Sequence, residues 1–344
     1  MNRLPYYRRD EVTLHVGDAA QVLAELPDRS VDCVVTSPPY WGLRDYGVPG
    51  QYGHERTPEG YVANLRRAFG EARRVLAVDG TVWLNLGDSY GGSWNNYVAS
   101  GSTAPTAANT RRRRRYGQHR PPQADQRYKS LLGMPWRVAL ALVEDGWILR
   151  NAIVWHKPNG TPESAGDRLT RRYEMLFLLV RSPRYWFDLD AIREPHHDPR
   201  PEAAARPGVS QRPCRGAYGR RPARTDRPAP GGAAARSSTG RRRGGKSGRN
   251  PGDVWTLLAH AYRDFHSAVG PVEVPLRCVA AGCRPGGVVC DPFSGTATTG
   301  VAALQLGRRY IGIDLNPAFH DLAIERLTRP RDRDPEQRPG EEPQ

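Results

Sequence analysis

With 344 residues, 38% of them hydrophobic, the chain can form one large α/β domain with insertions or two smaller domains, and its core needs no staples. The formal charge of +15 is local: residues 198–250 hold 14 Lys/Arg against 3 Asp/Glu and Arg111 to Arg115 is an unbroken run, so two Pro/Gly-rich stretches face a polyanion unless they are merely solvated loops. Cys33, Cys214, Cys278, Cys283 and Cys290 lack paired CxxC spacing, which argues against a zinc site or disulfide framework, and the absence of an apolar leader or spanning run gives the expectation of a cytoplasmic protein.

Thr13–Val16 reads as a short strand ending at Gly17-Asp18, and Ala19 to Leu26 as a helix before Pro27. Val31-Asp32-Cys33-Val34-Val35 is an apolar run of buried-strand type, closed by Thr36-Ser37-Pro38-Pro39-Tyr40. Trp41 to Gly53, rich in Gly, Tyr and Trp, is a loop of the kind that closes over a site. Thr57 caps a helix with Pro58 at its first position, and apolar residues at helical spacing continue to Leu76, with Asp79-Gly80 as the stop. Thr81 to Leu86 is the next strand. Residues 91–130 are polar and carry the arginine run, so they read as a flexible insertion. Beyond it come a helix over 134–144 and strands over 149–155 and 174–180. Residues 195–250 have almost no large apolar side chains and read as a second basic insertion. Pro271 starts a helix ending near Cys283. Gly287 to Asp291 is a buried strand, followed by a turn, a helix to Leu306, a strand over 310–314 and a final helix from Pro317; the 329–344 tail reads as disordered.

Chemistry concentrates at two strand ends. Consecutive prolines donate no N–H, so the carbonyls of Ser37 and Pro38 are preset acceptors, suited to an amino group. Ser37 adds a hydroxyl and Tyr40 an aromatic face on which a flat base stacks. A Pro-Pro turn that merely ends a strand is the plain alternative. The second end is a strand, glycine-containing turn, helix and strand, with Asp314 standing 19 residues after Gly295, as in nucleotide-binding βαβ units. Thr296, Ala297 and Thr298 occupy the turn where a dinucleotide pyrophosphate needs glycines, which disfavours NAD and favours a smaller nucleoside ligand.

Thr36-Ser-Pro-Pro-Tyr40, Asp291-Pro-Phe-Ser-Gly-Thr296, Asp314 after Gly307-Arg-Arg-Tyr-Ile-Gly-Ile, Gly17-Asp18 and Trp155-His-Lys-Pro-Asn159 occur in one order. With them the chain resembles the amino-methylating DNA methyltransferases that use S-adenosylmethionine, in the permuted (beta) motif order. The resemblance implies a Rossmann-like α/β fold with a mostly parallel central sheet and helices on both faces. It divides the chain into a catalytic half (1–90, continued over 131–194), the two insertions, and a cofactor-binding half (251–328). It implies catalytic roles for Ser37, Pro38, Pro39 and Tyr40. Cofactor contacts would come from Asp18 (adenine amino group), Thr36, Asp291, Pro292, Phe293, Ser294, Gly295, Thr296 and Asp314 (ribose hydroxyls). One departure is Gly270 before Pro271 in His266-Ser-Ala-Val-Gly270-Pro271, where the family has an aromatic residue.

Double-stranded DNA is the expected polyanion, met by Arg111, Arg112, Arg113, Arg114, Arg115, Arg241, Arg242 and Arg243, with a cognate restriction nuclease as a further candidate partner and a monomer or homodimer as the assembly. Within the family, Ser-Pro-Pro-Tyr is more typical of cytosine-N4 enzymes and Asp-Pro-Pro-Tyr of adenine-N6 enzymes, so cytosine is the first expectation and adenine the alternative. Other classes are an RNA or protein-amide methyltransferase and a non-catalytic nucleic-acid-binding relative.

Overall fold

The computed structural model describes residues 4–92, 125–160, 162–163, 165–195, 248–258 and 270–328. In chain order the elements are β1 (Tyr7–Arg9), β2 (Val12–Val16), α1 (Ala19–Glu25), β3 (Val31–Thr36), α2 (Pro58–Val75), β4 (Leu76–Leu86), α3 (Met134–Glu144), β5 (Ile148–His156) and β6 (Tyr173–Val180). They continue with β7 (Val254–Thr256), α4 (Glu273–Gly282), β8 (Val288–Asp291), α5 (Thr298–Gln305), β9 (Arg309–Asp314) and α6 (Pro317–Thr328).

The chain divides into two compact units, Met1–Ile192 with Gly252–Gln344, and Arg193–Pro251. All the elements above belong to the first. Within the second, Glu194 and Arg249 exchange both backbone hydrogen bonds and an ion pair of 3.0 Å, which joins the two ends of the basic stretch. The runs Arg111–Arg115 and Arg241–Arg243, most of both expected insertions, the 329–344 tail and His266 lie outside the described residues.

Among the described residues the strands form one sheet in the order β1-β2-β9-β8-β3-β4-β6-β5-β7. The pairs β2·β9, β9·β8, β8·β3, β3·β4 and β5·β7 are parallel, and β1·β2, β4·β6 and β6·β5 antiparallel. Period-two alternation gives each strand two buried faces. Val34, Val82, Leu84, Phe177 and Leu179 pack with Leu23 of α1, Leu65 and Phe69 of α2, and Val138 and Leu142 of α3. Cys33, Val35, Trp83, Leu176 and Leu178 pack on the other side with Val274 and Cys278 of α4, Ala303 of α5 and Ala323 of α6. The result is the expected layering of helices on both faces of a mostly parallel sheet.

The expectations differ from the structure in detail. The helix expected to reach Leu76 and stop at Asp79-Gly80 ends at Val75. Leu76 already has extended torsions and pairs with Val31, and Asp79 and Gly80 sit in a register shift of β4 instead of a helix stop. The helix expected from Pro271 begins at Glu273. The three-residue edge strands β1 and β7 carry too few residues to show a period. Cys33, Cys278, Cys283 and Cys290 are free and buried, and the described residues contain no cluster of metal-ligating groups and no helix long and apolar enough to cross a membrane.

Candidate active site

The connection leaving β3 runs through α2 to β4 on one side, while the connection leaving β8 runs through α5 to β9 on the other; β3 and β8 are neighbours. Such a reversal opens a crevice beyond the strands' carboxyl ends, the place where open α/β sheets bind ligands. The two motif segments leave the sheet at that crevice. Their roots are joined: the buried Thr36 hydroxyl donates to Asp291 Oδ1 at 2.6 Å, and the same oxygen takes the Phe293 N–H at 3.1 Å. Burial pushes the Asp291 carboxyl up to about 6 despite those hydrogen bonds.

The turn after β8 is held from the far side. Ser294 N–H donates to the Ile313 carbonyl at 2.8 Å, and Gly295 N–H to Asp314 Oδ2 at 2.8 Å. Asn316 N–H takes the other carboxylate oxygen, also at 2.8 Å. Gly295 has φ of +50°, a left-handed turn that glycine adopts without strain. Burial raises the Asp314 carboxyl above its ordinary value, with the Asn316 and Gly295 amides opposing the shift. Asp18 caps α1 through Gln21 N–H at 3.1 Å while its second oxygen lies 3.7 Å from Arg67. The cap that folding alone would ask for therefore coexists with a place at the cavity edge.

One cavity of about 940 Å³ is lined by every residue expected to be catalytic or to hold the cofactor: Asp18, Thr36 to Tyr40, Asp291 to Thr296, and Asp314. The loop expected to close over the site contributes Leu43, Arg44, Tyr46 and Tyr52. Ser37 is exposed and Pro38 buried. The Pro39 carbonyl is taken by the Tyr61 hydroxyl at 2.9 Å, which pins the second proline to α2. Gly87, at the end of β4, lies against the Tyr40 ring, where a Cβ would stand 2.6 Å from Cε2.

Sequence reasoning missed a group of polar residues behind Tyr40. The Tyr40 hydroxyl donates to Glu174 Oε2 at 2.7 Å and accepts from Asn85 Nδ2 at 2.8 Å and from the Ser37 hydroxyl at 3.1 Å. Asn85 Nδ2 also reaches Glu174 Oε2 at 2.8 Å, and Lys157 pairs with Glu174 Oε1. Burial alone would raise the Glu174 carboxyl, but the Lys157 ammonium and the hydrogen bonds from Lys157, Tyr40 and Asn85 outweigh it and hold the group below its ordinary value. Burial and the Glu174 charge push the Tyr40 phenol well up, so it stays protonated. Asn85 Oδ1 and Ser294 Oγ, both on the cavity wall, are buried polar atoms with no partner in the protein.

An acceptor-rich pocket with an aromatic side chain adjoins a nucleotide-type turn and its carboxylate in a single cleft, which defines a transferase of the α/β nucleoside-cofactor class. The comparisons sharpen that class. The DNA methylase family model (N6_N4_Mtase) matches residues 31–325. The chain is 38% identical to Type II methyltransferase M.Cfr9I of Citrobacter freundii over 92% of this chain and 87% of that protein. It is likewise 38% identical to Type II methyltransferase M.SmaI of Serratia marcescens over 92% and 90%. Among solved structures, PvuII DNA methyltransferase (cytosine-N4-specific) superposes with a TM-score of 0.60 at 15% identity, covering 95% of this chain and 90% of that one. TTHA0409 of Thermus thermophilus, a DNA modification methylase complexed with S-adenosyl-L-methionine, matches with a TM-score of 0.51 at 24% identity over 92% and 95%. The chain belongs to the N6/N4 DNA methylase family and is a DNA methyltransferase.

Proposed function

We propose that the protein transfers the methyl group of S-adenosylmethionine to the exocyclic N4 amino group of cytosine in double-stranded DNA. The observation that carries this reading is the opening of Ser37–Tyr40 and of the Asp291–Asp314 turn onto one cavity. The lining fits a cationic nucleoside: the carboxylates of Asp18, Asp291 and Asp314 face it, and the buried Ser294 hydroxyl lacks a protein partner. Asp314 and Asp18 would hold the nucleoside, with Phe293 and the turn amides closing around it. Once bound, S-adenosylmethionine supplies an electrophilic methyl group on a sulfonium.

The amino group of a base is a poor nucleophile, because its lone pair is delocalised into the ring. Ser37 Oγ and the Pro38 carbonyl accept its two hydrogens, which favours a pyramidal nitrogen whose lone pair is free to attack. The face of Tyr40 offsets the stacking lost when the base leaves the duplex. Holding base and methyl donor in one cleft makes the displacement effectively unimolecular. Serine at position 37 supports cytosine, since the family's adenine enzymes more typically carry aspartate there. Arg111 to Arg115 and Arg241 to Arg243 would neutralise DNA phosphates, and the Type II names of the relatives support a restriction nuclease as the functional counterpart.

The test is incubation of PCR-amplified, hence unmodified, bacterial genomic DNA with methyl-labelled S-adenosylmethionine, followed by digestion to nucleosides. Label in N4-methylcytosine is the expected result. Label in N6-methyladenine would overturn the choice of base, and unlabelled DNA the whole assignment.

A further inference from the structure

The hydrogen bonds behind Tyr40 form a chain in which every link has a direction. Lysine can only donate and an ionised carboxylate can only accept. Lys157 therefore donates to Glu174 Oε1, and the Tyr40 hydrogen points at Glu174 Oε2, 2.7 Å away. A phenol has one hydrogen. With that hydrogen committed, the Tyr40 oxygen can only accept, and it receives Asn85 Nδ2 at 2.8 Å and the Ser37 hydroxyl at 3.1 Å. Ser37 has then used its own hydrogen, so Oγ turns only lone pairs toward the cavity.

We infer that Glu174, held ionised by Lys157, is a positioning residue that acts through Tyr40 to fix Ser37 as a hydrogen-bond acceptor for the target amino group. This rests on the reading of Ser37 as the residue that meets that group. Run backwards, the chain would be inhibitory. A protonated Glu174 would donate to Tyr40, Tyr40 to Ser37, and Ser37 would be free to donate to the amino nitrogen, tying up the lone pair that has to attack. Glu174 thus gives a serine the acceptor-only character that an aspartate has by itself. Folding stability does not account for the pair: burying two charges costs more desolvation than their attraction usually returns, and the Lys157 and Glu174 side chains are only 19% and 18% exposed.

The test measures methylation of duplex DNA by Glu174→Gln, Tyr40→Phe, the double variant, Lys157→Met and Ser37→Ala. In Glu174→Gln, Lys157 claims the amide oxygen and the amide nitrogen donates to Tyr40, so the chain reverses. kcat is expected to fall about 10²-fold, the scale of losing one preorganised polar contact at a reacting centre, with KM for DNA and for cofactor within about threefold of wild type. In the Tyr40→Phe background the relay is already cut, and Glu174→Gln should cost less than about threefold more. A loss below about threefold in the wild-type background, or an equal loss in both backgrounds, overturns the inference.

Lys157→Met carries the test if Glu174→Gln does not fold. The groups facing Glu174 are Lys157 of the loop after β5, Tyr40 after β3 and Asn85 of β4, and Lys157 is the one cation among them. Without it burial raises the carboxyl, so kcat should be depressed at pH 7 and recover as pH rises; a wild-type pH profile overturns the inference. Wild-type turnover in Ser37→Ala would instead sink the reading beneath it, whereas an inactive Ser37→Ala with equal Glu174→Gln losses in both backgrounds sinks the positioning role alone.

Discussion

The carboxylate of Asp314 accepts the backbone N–H of Gly295 at 2.8 Å, tying the end of β9 to the turn after β8. Its other oxygen accepts the Asn316 N–H, so both oxygens keep a lone pair in hand while bracing the cleft. Asp314→Asn sets an amide NH₂ against one of these backbone donors. The variant should lose roughly 1–3 kcal/mol of stability, the cost of a buried polar group left without its partner. Isothermal titration with S-adenosylmethionine should show affinity at least about tenfold weaker, because an acceptor-only group has been lost from the ligand's side as well. Unchanged cofactor affinity would remove Asp314 from the binding set.

Asp291 gives the fold a pH dependence of definite sign. Its carboxyl is pushed up to about 6 from an ordinary value of 3.8, so between those values the folded chain binds more protons at this group than the unfolded chain. The contribution is fully present below 3.8 and is lost as pH rises through about 6, on the order of 3 kcal/mol in all. Thr36 and Phe293 both donate to Oδ1, an atom that asparagine also offers. Asp291→Asn should therefore match wild type in urea unfolding near pH 4 and exceed it at pH 7.5. A difference that does not vary with pH would mean the carboxyl titrates normally.

Gly87 explains how the Tyr40 ring can lie so close to the end of β4. A Cβ there would stand 2.6 Å from Cε2 of that ring and 2.7 Å from Cδ2, so Gly87→Ala must displace the ring or the strand. Overpacking of this kind costs roughly 1–3 kcal/mol. The expected outcome is a folded enzyme with kcat reduced at least about tenfold and cofactor affinity near wild type, since the turn at Asp291–Asp314 is untouched. Full activity would show that the ring position is not critical.

The parts of this site that could be read in the sequence are those fixed by local geometry. Gly295 and Asp314 are separated by one turn, one helix and one strand, so their 19-residue spacing reports the βαβ unit directly. Thr36 to Tyr40 is legible because a Pro-Pro pair closing an apolar run has few conformations. Glu174, Lys157 and Asn85 were not legible: they meet only because β6 lies antiparallel between β4 and β5, and sheet order is not encoded in any one strand. Leu76 misled for a related reason. It continues the helical spacing of α2, yet its pairing with Val31 claims it for the sheet, and tertiary contact overrode local pattern.

The basic stretch between the two halves supplies the last prediction. Residues 198–250 hold 14 of the chain's 51 Lys/Arg, and the Glu194–Arg249 pair brings the ends of that stretch together, so its middle can be removed without parting them. Each phosphate neutralised by Lys or Arg adds about 0.9 to the slope of log affinity against log salt. Deleting 200–247 should therefore lower affinity for duplex DNA and flatten that slope by several units, measured by fluorescence anisotropy across a salt series. Affinity for S-adenosylmethionine should not change, because none of the residues lining the cavity lies in the deleted segment. A deletion variant with the wild-type slope would place the phosphate contacts elsewhere, with Arg111 to Arg115 as the next run to remove.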